Sequence, residues 1–512
     1  MTRTLLLGAR VLDPGSRSGA DALEITGGRI SFVGSAADAR ERMPSATAVD
    51  LAGATVTPVF VDAHVHATAT GLLVDGLDLT GCASPAALLD AVAARGTARP
   101  GALIWGHGWQ DHRWADPPPG RAAIDRAAGG SPVYLSRIDV HSALVSSALL
   151  DRAPGAVGAP GWSATGALSA TAHHHARRAA LVAVDAGSRD AAQRAFLAAA
   201  AERGVGIVHE CAGPDISSVA DLTALLARPG PEVVGYWGAA VATAAQAREV
   251  LAATGAHGLA GDLFVDGSIG SRTAALRAPY ADAPGCTGNR YLDAGAVGAH
   301  VAACTLAGVQ AGFHVIGDAA ADVALAGFAE ATRCVDVSRA ALRTTVHRVE
   351  HLEMVDPDQA RVLAGLGVVA SVQPVFDALW GGPDGMYAER LGEARARPMN
   401  PLAMLRAHGV TLALGSDSPV TPVDPWAAIR AAVEHRTPGS ELDPDVALAA
   451  HTVGGHRAAG DRSPMAGRLL AGATASYAVW DGVAPLDGTA GAPRCLRTVH
   501  RGQVLFDALA DR

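Results

Sequence analysis

The chain has 512 residues, 49% of them hydrophobic and 18% charged, a composition that indicates a folded protein with a large core and excludes a disordered one. Its net charge of -9 is spread along the sequence without a run of like charges, so we expect no nucleic-acid partner and no contact with an anionic membrane surface. No apolar run reaches the roughly 18 residues that a membrane-spanning helix needs.

Two residue types restrict the chemistry. The 6 cysteines are scattered and form no CxxC pair, which favours reduced thiols and a cytoplasmic location over a disulfide framework. Lysine is absent, so all 41 residues counted as Lys or Arg are arginines. The protein therefore cannot use a Schiff-base lysine, a P-loop lysine or a carboxylated lysine that bridges two metals.

Short strands separated by tight turns are predicted near both ends of the chain. They are Thr4–Leu7, Ala22–Ile25, Arg29–Val33, Ala54–Val56, Ser476–Trp480 and Thr498–Phe506. The apolar run near Met1 has no small-residue cleavage site after it, so we interpret it as part of the fold and not as a signal peptide. We expect residues 1–57 and 465–512 to form one small β-sandwich domain.

Between these ends, residues 58–464 alternate between apolar strand-like segments and Ala-rich helical stretches. The predicted strands are Thr55–Val61, Gly204–His209, Glu232–Trp237, Asp262–Val265, Val309–His314, Thr344–Val349, Gly367–Val372 and Thr411–Gly415. The predicted helices include Arg189–Arg203, Ala319–Ala331 and Asp356–Ala364. Eight strands with intervening helices predict an α/β fold, a (β/α)8 TIM-type barrel. The long gap after strand one predicts an inserted subdomain at residues 68–185.

Four histidines and an aspartate stand at the ends of predicted strands. His64 and His66 follow the first strand, and an extended chain directs residues two apart to the same side. His314 ends the fifth strand, His351 the sixth and Asp417 the eighth. These strand ends form the catalytic face of a barrel, so we expect the five side chains to hold a divalent metal, with zinc as the first choice.

A metal at this position predicts hydrolysis. A bound divalent metal lowers the pKa of water towards neutrality and polarises a carbonyl group. Asp417 is predicted to act twice, as a metal ligand and as the catalytic group that takes the proton of the water and delivers it to the leaving group.

The order of these motifs resembles the amidohydrolase superfamily, and within it the YtcJ-like amidohydrolase-3 group. The similarity rests on the HxH pair, the elements Gly312–Asp318, Arg348–His351 and Gly415–Val420, and the segment Asp266–Ala274. It implies hydrolysis of a C–N bond in a small molecule such as an amide, an N-acyl compound or a formamide, and it allows a homodimer. An ester, lactone or cyclic-imide hydrolase on the same site, and a metal- or ligand-binding barrel without catalysis, remain alternatives.

The chain departs from this resemblance at the fourth strand. Many such enzymes carry there a lysine that becomes carboxylated and bridges two metals, and this sequence has Asp262 at that position. Asp262 is the first candidate for a replacement ligand, with Asp266 and Glu210 as alternatives. The sequence leaves open whether the site holds one metal or two.

Other residues are candidates for substrate contact. The resemblance favours His107, Trp109 and His141 as walls of the pocket, and Asp266 as a further contact. Arg272 is suited either to a substrate carboxylate or to an ion pair with a neighbouring acid. The run His173–His175 is predicted to be a solvated loop, because three consecutive histidines cannot all face one site.

Overall fold

Eight parallel strands form the central sheet of the computed structural model, which describes residues 3–16, 19–42, 46–112, 114–482 and 493–509. They are Phe60–Val65, Val205–Ala212, Glu232–Trp237, Gly258–Leu259, Gln310–Val315, Arg348–His351, Val369–Val372 and Thr411–Leu414. Each pairs with the next in chain order, and a parallel bridge from Val65 to Ser418 joins the last strand edge to the first. Their side chains are almost all buried, as in a sheet covered by helices on one side and filled by side chains on the other. The predicted (β/α)8 barrel is confirmed.

Three predicted strands differ from those observed. The segment Thr55–Val61 is not one strand, because Pro58 ends a strand of another sheet and the barrel strand begins at Phe60. The fourth strand is Gly258–Leu259 and not Asp262–Val265, since the chain turns at Gly261 with a φ of 76°. The sixth strand begins at Arg348, because residues 339–345 form a helix capped by Ser338.

Helices surround the barrel and occupy the loops at its rim. Their bounds are Ala67–Gly71, Ala186–Ala201, Val219–Leu226, Ala244–Thr254, Ala294–Ala307, Asp318–Ala331, Arg339–Thr345, Pro357–Leu366, Pro374–Trp380, Met386–Leu391, Glu393–Ala396, Leu402–Ala407, Pro425–Val433, Pro444–Ala450 and Val453–Ala458. The three helices named from the sequence are among them. No helix in the described ranges is long and apolar enough to cross a membrane.

A separate five-stranded sheet lies in the insertion between the first two barrel strands. Its strands are Leu77–Asp78, Ile104–Trp109, Val133–Arg137, Ser142–Val145 and Leu168–Ser169, with helices Pro85–Ala98, Arg121–Ala128, Ser147–Leu150 and Ala170–Val182 and single turns at Leu72–Val74 and Pro154–Ala156. The prediction of a solvated loop at His173–His175 is wrong. His173 and His174 are buried on a helix, and the Tyr134 hydroxyl lies 2.8 Å from His173 Nε2.

Strands from both ends of the chain form a β-sandwich. One sheet contains Arg3–Leu7, Ala22–Thr26, Arg29–Gly34 and Thr47–Asp50, and the other contains Arg10–Val11, Thr55–Pro58, Tyr477–Trp480, Cys495–His500 and Gln503–Asp507, with helix Ala36–Arg42 beside them. The sheets share one apolar core that includes Leu23, Val56 and Val479. The domain boundaries 1–57 with 465–512, 58–464 and 68–185 stay predictions, and residues 1–2, 17–18, 43–45, 483–492 and 510–512 of the first domain lie outside the described ranges.

The tryptophan at the end of strand Tyr477–Trp480 connects the sandwich to the barrel. Its ring centroid lies 5.6 Å from that of Phe60 and 5.3 Å from that of Trp426, and its exposure is 2%. We expect Trp480→Ala to lower the free energy of unfolding by about 3–5 kcal/mol, because it leaves a cavity between the two units. Urea unfolding checks this. The exposed Val504, mutated to alanine, is the control and should cost less than about 1 kcal/mol.

Candidate metal centre

The four predicted histidines and two aspartates meet at the C-terminal mouth of the barrel. His64 lies in the first strand and His66 directly follows it, while His314 and His351 lie in the fifth and sixth strands. Asp262 and Asp417 follow the short fourth strand and the eighth strand. The exposure of all six residues is 7% or less. The structure thus brings together every residue that the sequence predicted as a metal ligand.

Asp262 lies at the centre of this group. Each of the four histidines has a ring nitrogen close to one of the two Asp262 carboxylate oxygens. The distances are 3.4 Å for His64 Nε2, 3.2 Å for His66 Nε2, 3.4 Å for His314 Nδ1 and 3.9 Å for His351 Nε2. The aspartate at the position of the missing lysine is therefore long enough to reach the same point as the imidazoles.

Asp417 approaches the group from the loop after the eighth strand, beside the end of the first strand. Its Oδ1 lies 3.1 Å from His66 Nε2 and 3.4 Å from His64 Nε2. The backbone holds it there, because the Asp417 N–H donates to the His64 carbonyl at 2.8 Å and the residue has a φ of 54°. A positive φ is uncommon for a residue other than glycine and is typical of functional sites.

The donor set fits a divalent cation. Among the described residues, His64 Nε2, His351 Nε2 and Asp417 Oδ1 are buried without a hydrogen-bond partner, which is costly unless another group binds them. Three sets of three ligand atoms in the described residues lie close enough together to hold an ion: His64, His66 and Asp417; His64, Asp262 and His351; and His64, Cys211 and Glu350. Imidazole nitrogen and carboxylate oxygen are ligands that zinc and similar metals accept. His64 belongs to all three sets.

Hydrogen bonds on the far side of two rings orient their free nitrogens towards this point. His64 Nδ1 donates to Glu350 Oε2 at 3.0 Å, and His351 Nδ1 donates to Gln373 Oε1 at 2.7 Å. In both rings the proton on Nδ1 leaves Nε2 with a lone pair for a metal.

Glu350 is itself held by a buried arginine. Arg348 Nε and Nη2 donate to its two oxygens at 2.6 and 2.8 Å, and the guanidinium lies 4.4 Å from the centroid of the Tyr236 ring. Burial opposes ionisation of Glu350, but Arg348 and His64 hold its pKa well below the usual range. Sequence reasoning missed these supporting roles, although alternation along the strand places Arg348 and Glu350 on one face.

We expect Glu350→Gln to weaken metal binding about 10–100-fold, because His64 loses the charged acceptor that orients it. The variant also leaves Arg348 without its counter-ion, so we expect it to lose about 3–5 kcal/mol of stability. Metal titration and urea unfolding measure the two effects separately. Glu393→Gln, at an exposed position, is the matched control. An unchanged metal affinity in Glu350→Gln would contradict the orienting role.

The charges of the cluster are balanced within it. Burial alone would lower the pKa of His66, but the Asp262 and Asp417 carboxylates raise it to about 10. Burial alone would raise the pKa of each carboxyl, but His64 and the neighbouring imidazoles hold the pKa of Asp262 and of Asp417 below the usual value. Without a metal, protonated imidazole such as that of His66 thus balances the two buried carboxylates, and a divalent cation would take the place of those protons.

The alternative replacements for the lysine are engaged elsewhere. Both Asp266 oxygens accept backbone N–H groups, from Ile316 at 3.0 Å and from Ala275 and Gly317 at 2.8 Å each. Glu210 Oε2 accepts the Ala67 N–H at 2.7 Å. Neither belongs to the ligand sets around the histidines. Asp266 therefore ties the loops after strands four and five together.

The other predicted substrate contacts occupy different environments. His107 and His141 line cavities beside the cluster, and the His141 ring centroid lies 5.0 Å from that of His314. Trp109 is 2% exposed in the core of the insertion, where its Nε1 donates to the Leu135 carbonyl at 2.8 Å. Arg272 forms an ion pair with Asp282, with Nε at 3.0 Å from Oδ1. Arg272 was predicted to bind either a substrate carboxylate or a neighbouring acid, and the structure shows the neighbouring acid.

Two cavities adjoin the cluster on different sides. The larger is bounded by His66, His107 and Glu210 and extends under the helix Ala170–Val182. The smaller is bounded by His141, His314, His351 and Asp417. Glu353 lines the second cavity, its buried Oε2 has no hydrogen-bond partner within the described ranges, and burial raises its pKa to about 7. Sequence reasoning did not identify Glu353.

Comparison with known proteins agrees with this geometry. The model of the Amidohydrolase family matches residues 47–506. The chain is 30% identical over 454 residues to Protein LONG AFTER FAR-RED 3 of Arabidopsis thaliana, covering 82% of this chain and 75% of that protein. It is 26% identical over 469 residues to a Bacillus subtilis (strain 168) protein named "Putative amidohydrolase YtcJ", covering 85% and 83% respectively.

Among solved structures, an uncharacterized metal-dependent hydrolase from Pyrococcus furiosus is 25% identical. It superposes with a TM-score of 0.70 over 93% of this chain and 98% of its own. A fold neighbour of the same description from Pyrococcus horikoshii OT3 has a TM-score of 0.72, 23% identity and coverage of 94% and 98%. The barrel, the ligand cluster at its mouth and the match over residues 47–506 together establish that the chain belongs to the amidohydrolase family.

Proposed function

We propose that the protein hydrolyses a C–N bond in a small molecule, an amide, an N-acyl compound or a formamide. Membership of the amidohydrolase family makes it a hydrolase and points to a divalent metal. The observation that carries the proposal is the set of buried, unpartnered ligand atoms around two ionised carboxylates, open to two cavities. A shorter match supports the choice of bond: residues of this chain are 30% identical over 159 residues to a protein named N-substituted formamide deformylase from Arthrobacter pascens, covering 30% of this chain and 29% of that protein.

His64, His66, His314, His351, Asp262 and Asp417 are the residues that would hold the metal. When bound, a cation of this kind lowers the pKa of a water molecule and polarises the carbonyl group of the substrate. We propose zinc as that cation, as one ion or two, because zinc accepts imidazole nitrogen and carboxylate oxygen as ligands and several such atoms lie close together here.

Asp417 is proposed to move the proton. Its Oδ1 has no hydrogen-bond partner among the described residues and lies beside His66 and His64, and the lowered pKa of its carboxyl keeps it ionised, as a proton acceptor must be. It takes the proton of the attacking water and passes it to the leaving nitrogen, so that the amine departs as a neutral group. The backbone bond to the His64 carbonyl keeps the carboxylate in place for both transfers.

A substrate panel tests the proposal. Purified protein, loaded with zinc or with manganese, is assayed on amides, N-acyl amines and formamides, and on matched esters, lactones and cyclic imides. Turnover of C–N substrates above the others supports the proposal, and preference for esters or lactones moves the assignment to the second candidate. A protein that holds metal but turns over no carbonyl substrate would instead be a binding barrel. A cytoplasmic location, a homodimer and the absence of nucleic-acid partners stay predictions.

A further inference from the structure

We infer that the substrate carries a carboxylate, and that Arg177 and Ser217 bind it in the larger cavity beside the metal cluster. The inference rests on the proposed function for the reaction, and on independent contacts for the anion. It narrows the substrate class from amides in general to acidic ones, such as N-acyl amino acids.

Arg177 is a buried cation whose partners are all neutral. It lies on the helix Ala170–Val182 and is 8% exposed. Its Nε donates to the Tyr134 hydroxyl at 3.3 Å, its Nη1 to the Asp215 backbone carbonyl at 3.4 Å, and its Nη2 to the Val140 carbonyl. A guanidinium has five N–H donors, so one on each terminal nitrogen is left over.

The other buried arginines in the described part of the chain all pair with carboxylates. Arg137 pairs with Asp139 at 2.9 Å, Arg348 with Glu350 at 2.6 Å, and Arg390 with Asp282 at 2.7 Å. Arg177 has no ion pair with any described residue. Burial of an unpaired charge is costly, so a position that keeps one is suited to an anion that arrives from outside.

The acidic residues near Arg177 are engaged with other groups. The Asp215 carboxylate lies 3.4 Å from Arg178 and 3.7 Å from His174. The Asp221 carboxylate accepts the Thr68 hydroxyl at 2.9 Å and lies 3.4 Å from Arg189. Neither is within ion-pair distance of Arg177, so the unmatched positive charge faces the cavity.

The cavity connects this charge to the reaction site. Arg177 lines it together with His66, which is one of the proposed ligands, and with apolar walls from Trp105, Leu181 and Ile216. Ser217 also lines it, and the Ser217 hydroxyl is buried without a hydrogen-bond partner in the part of the chain that the structure describes. A carboxylate can accept from both terminal nitrogens of an arginine and from a hydroxyl, while the apolar walls contact the carbon chain between the carboxylate and the amide.

The test uses N-acetyl ω-amino acids of increasing chain length and N-acetyl alkylamines of the same lengths, which lack the carboxylate. We expect the metal-loaded enzyme to prefer one length of the acidic series. Arg177→Gln should raise KM for that acid by about 10-fold to 100-fold, with little change in kcat or in the neutral series, since charged hydrogen bonds of this kind contribute that much to binding. Ser217→Ala should raise KM about 5-fold.

Arg178→Gln is the matched control, because Arg178 is the next residue on the same helix and its side chain is 49% exposed. Arg177→Lys keeps the charge and should keep part of the preference, which separates anion binding from a folding defect. Equal KM changes for acidic and neutral substrates in Arg177→Gln, or an equal effect of Arg178→Gln, would overturn the inference.

Calorimetry with hexanoate and hexanamide separates this inference from the proposed function. We expect the metal-loaded enzyme to bind hexanoate more tightly, and Arg177→Gln to lose that difference. If Arg177→Gln loses the preference for hexanoate but the wild-type enzyme hydrolyses no amide, the proposed function is refuted and the anion site is kept. Turnover of amides with equal binding of hexanoate and hexanamide would keep the function and refute the anion site.

Discussion

Replacement of Asp417 by asparagine is expected to lower kcat by about 10²–10⁴-fold, because an amide cannot accept the proton of the attacking water. The overall structure should survive, since the backbone N–H of residue 417 still donates to the His64 carbonyl. Steady-state kinetics on the best substrate of the panel, together with circular dichroism, measures the two properties. Metal analysis of the same samples shows whether the loss comes from proton transfer or from the loss of a ligand.

Asp358→Asn is the matched control for this experiment. The Asp358 side chain is 88% exposed and pairs with Arg361 on the same helix, so we expect the rate of this variant to equal that of the wild type. A variant at Asp417 that holds metal and keeps more than about a tenth of the wild-type rate would show that another group moves the proton.

Replacement of Asp262 by asparagine should have the second large effect, which is on metal affinity and not primarily on proton transfer. Its carboxylate is the group that approaches all four histidines, and the neutral amide removes one of two negative charges at the site. Mutation of a residue that supports a metal ligand typically lowers metal affinity by about 10–100-fold, so we expect mutation of a direct ligand to lower it by more than about 100-fold. Elemental analysis after dialysis against a weak chelator reports the metal content.

Two further variants decide between the candidates for the position of the missing lysine. Asp266→Asn should keep its metal and lose stability, because Asp266 accepts three backbone N–H groups. Glu210→Gln should keep its metal as well. If Asp262→Asn retained full metal content while either of these lost it, Asp262 would not be the replacement ligand.

Much of the site was predictable because a barrel places the ends of distant strands on one rim. His64, His314, His351 and Asp417 are separated widely in the sequence, but each stands where a strand gives way to a loop. The motif order was specific enough to identify the family, which the family match confirms. The central position of Asp262 depends on a turn at Gly261 that shortens the fourth strand, and no strand propensity shows such a turn.

Partners that come from other elements were not predictable. The pairing of Arg272 with Asp282 and the orientation of His64 by Glu350 both depend on side-chain contacts across loops or strands. The prediction of a loop at residues 173–175 rested on the rule that three consecutive histidines cannot all face one site, yet Ala172, Ala176 and Ala180 give that helix an apolar face and Tyr134 satisfies His173. Tertiary contacts outweigh local polarity at such positions.

The strand Thr55–Pro58 has a consequence for how the protein is made. It pairs on one side with the two residues Arg10–Val11 and on the other with Tyr477–Trp480. Ribosomes add about 5–20 residues per second, so this strand, buried in the finished fold, waits on the order of tens of seconds for its second neighbour to be synthesised. An unpaired strand edge is a template for association with other chains. The nascent chain is therefore most vulnerable to aggregation before residue 477 emerges, and chaperone capacity during translation should limit its yield more than the stability of the finished fold.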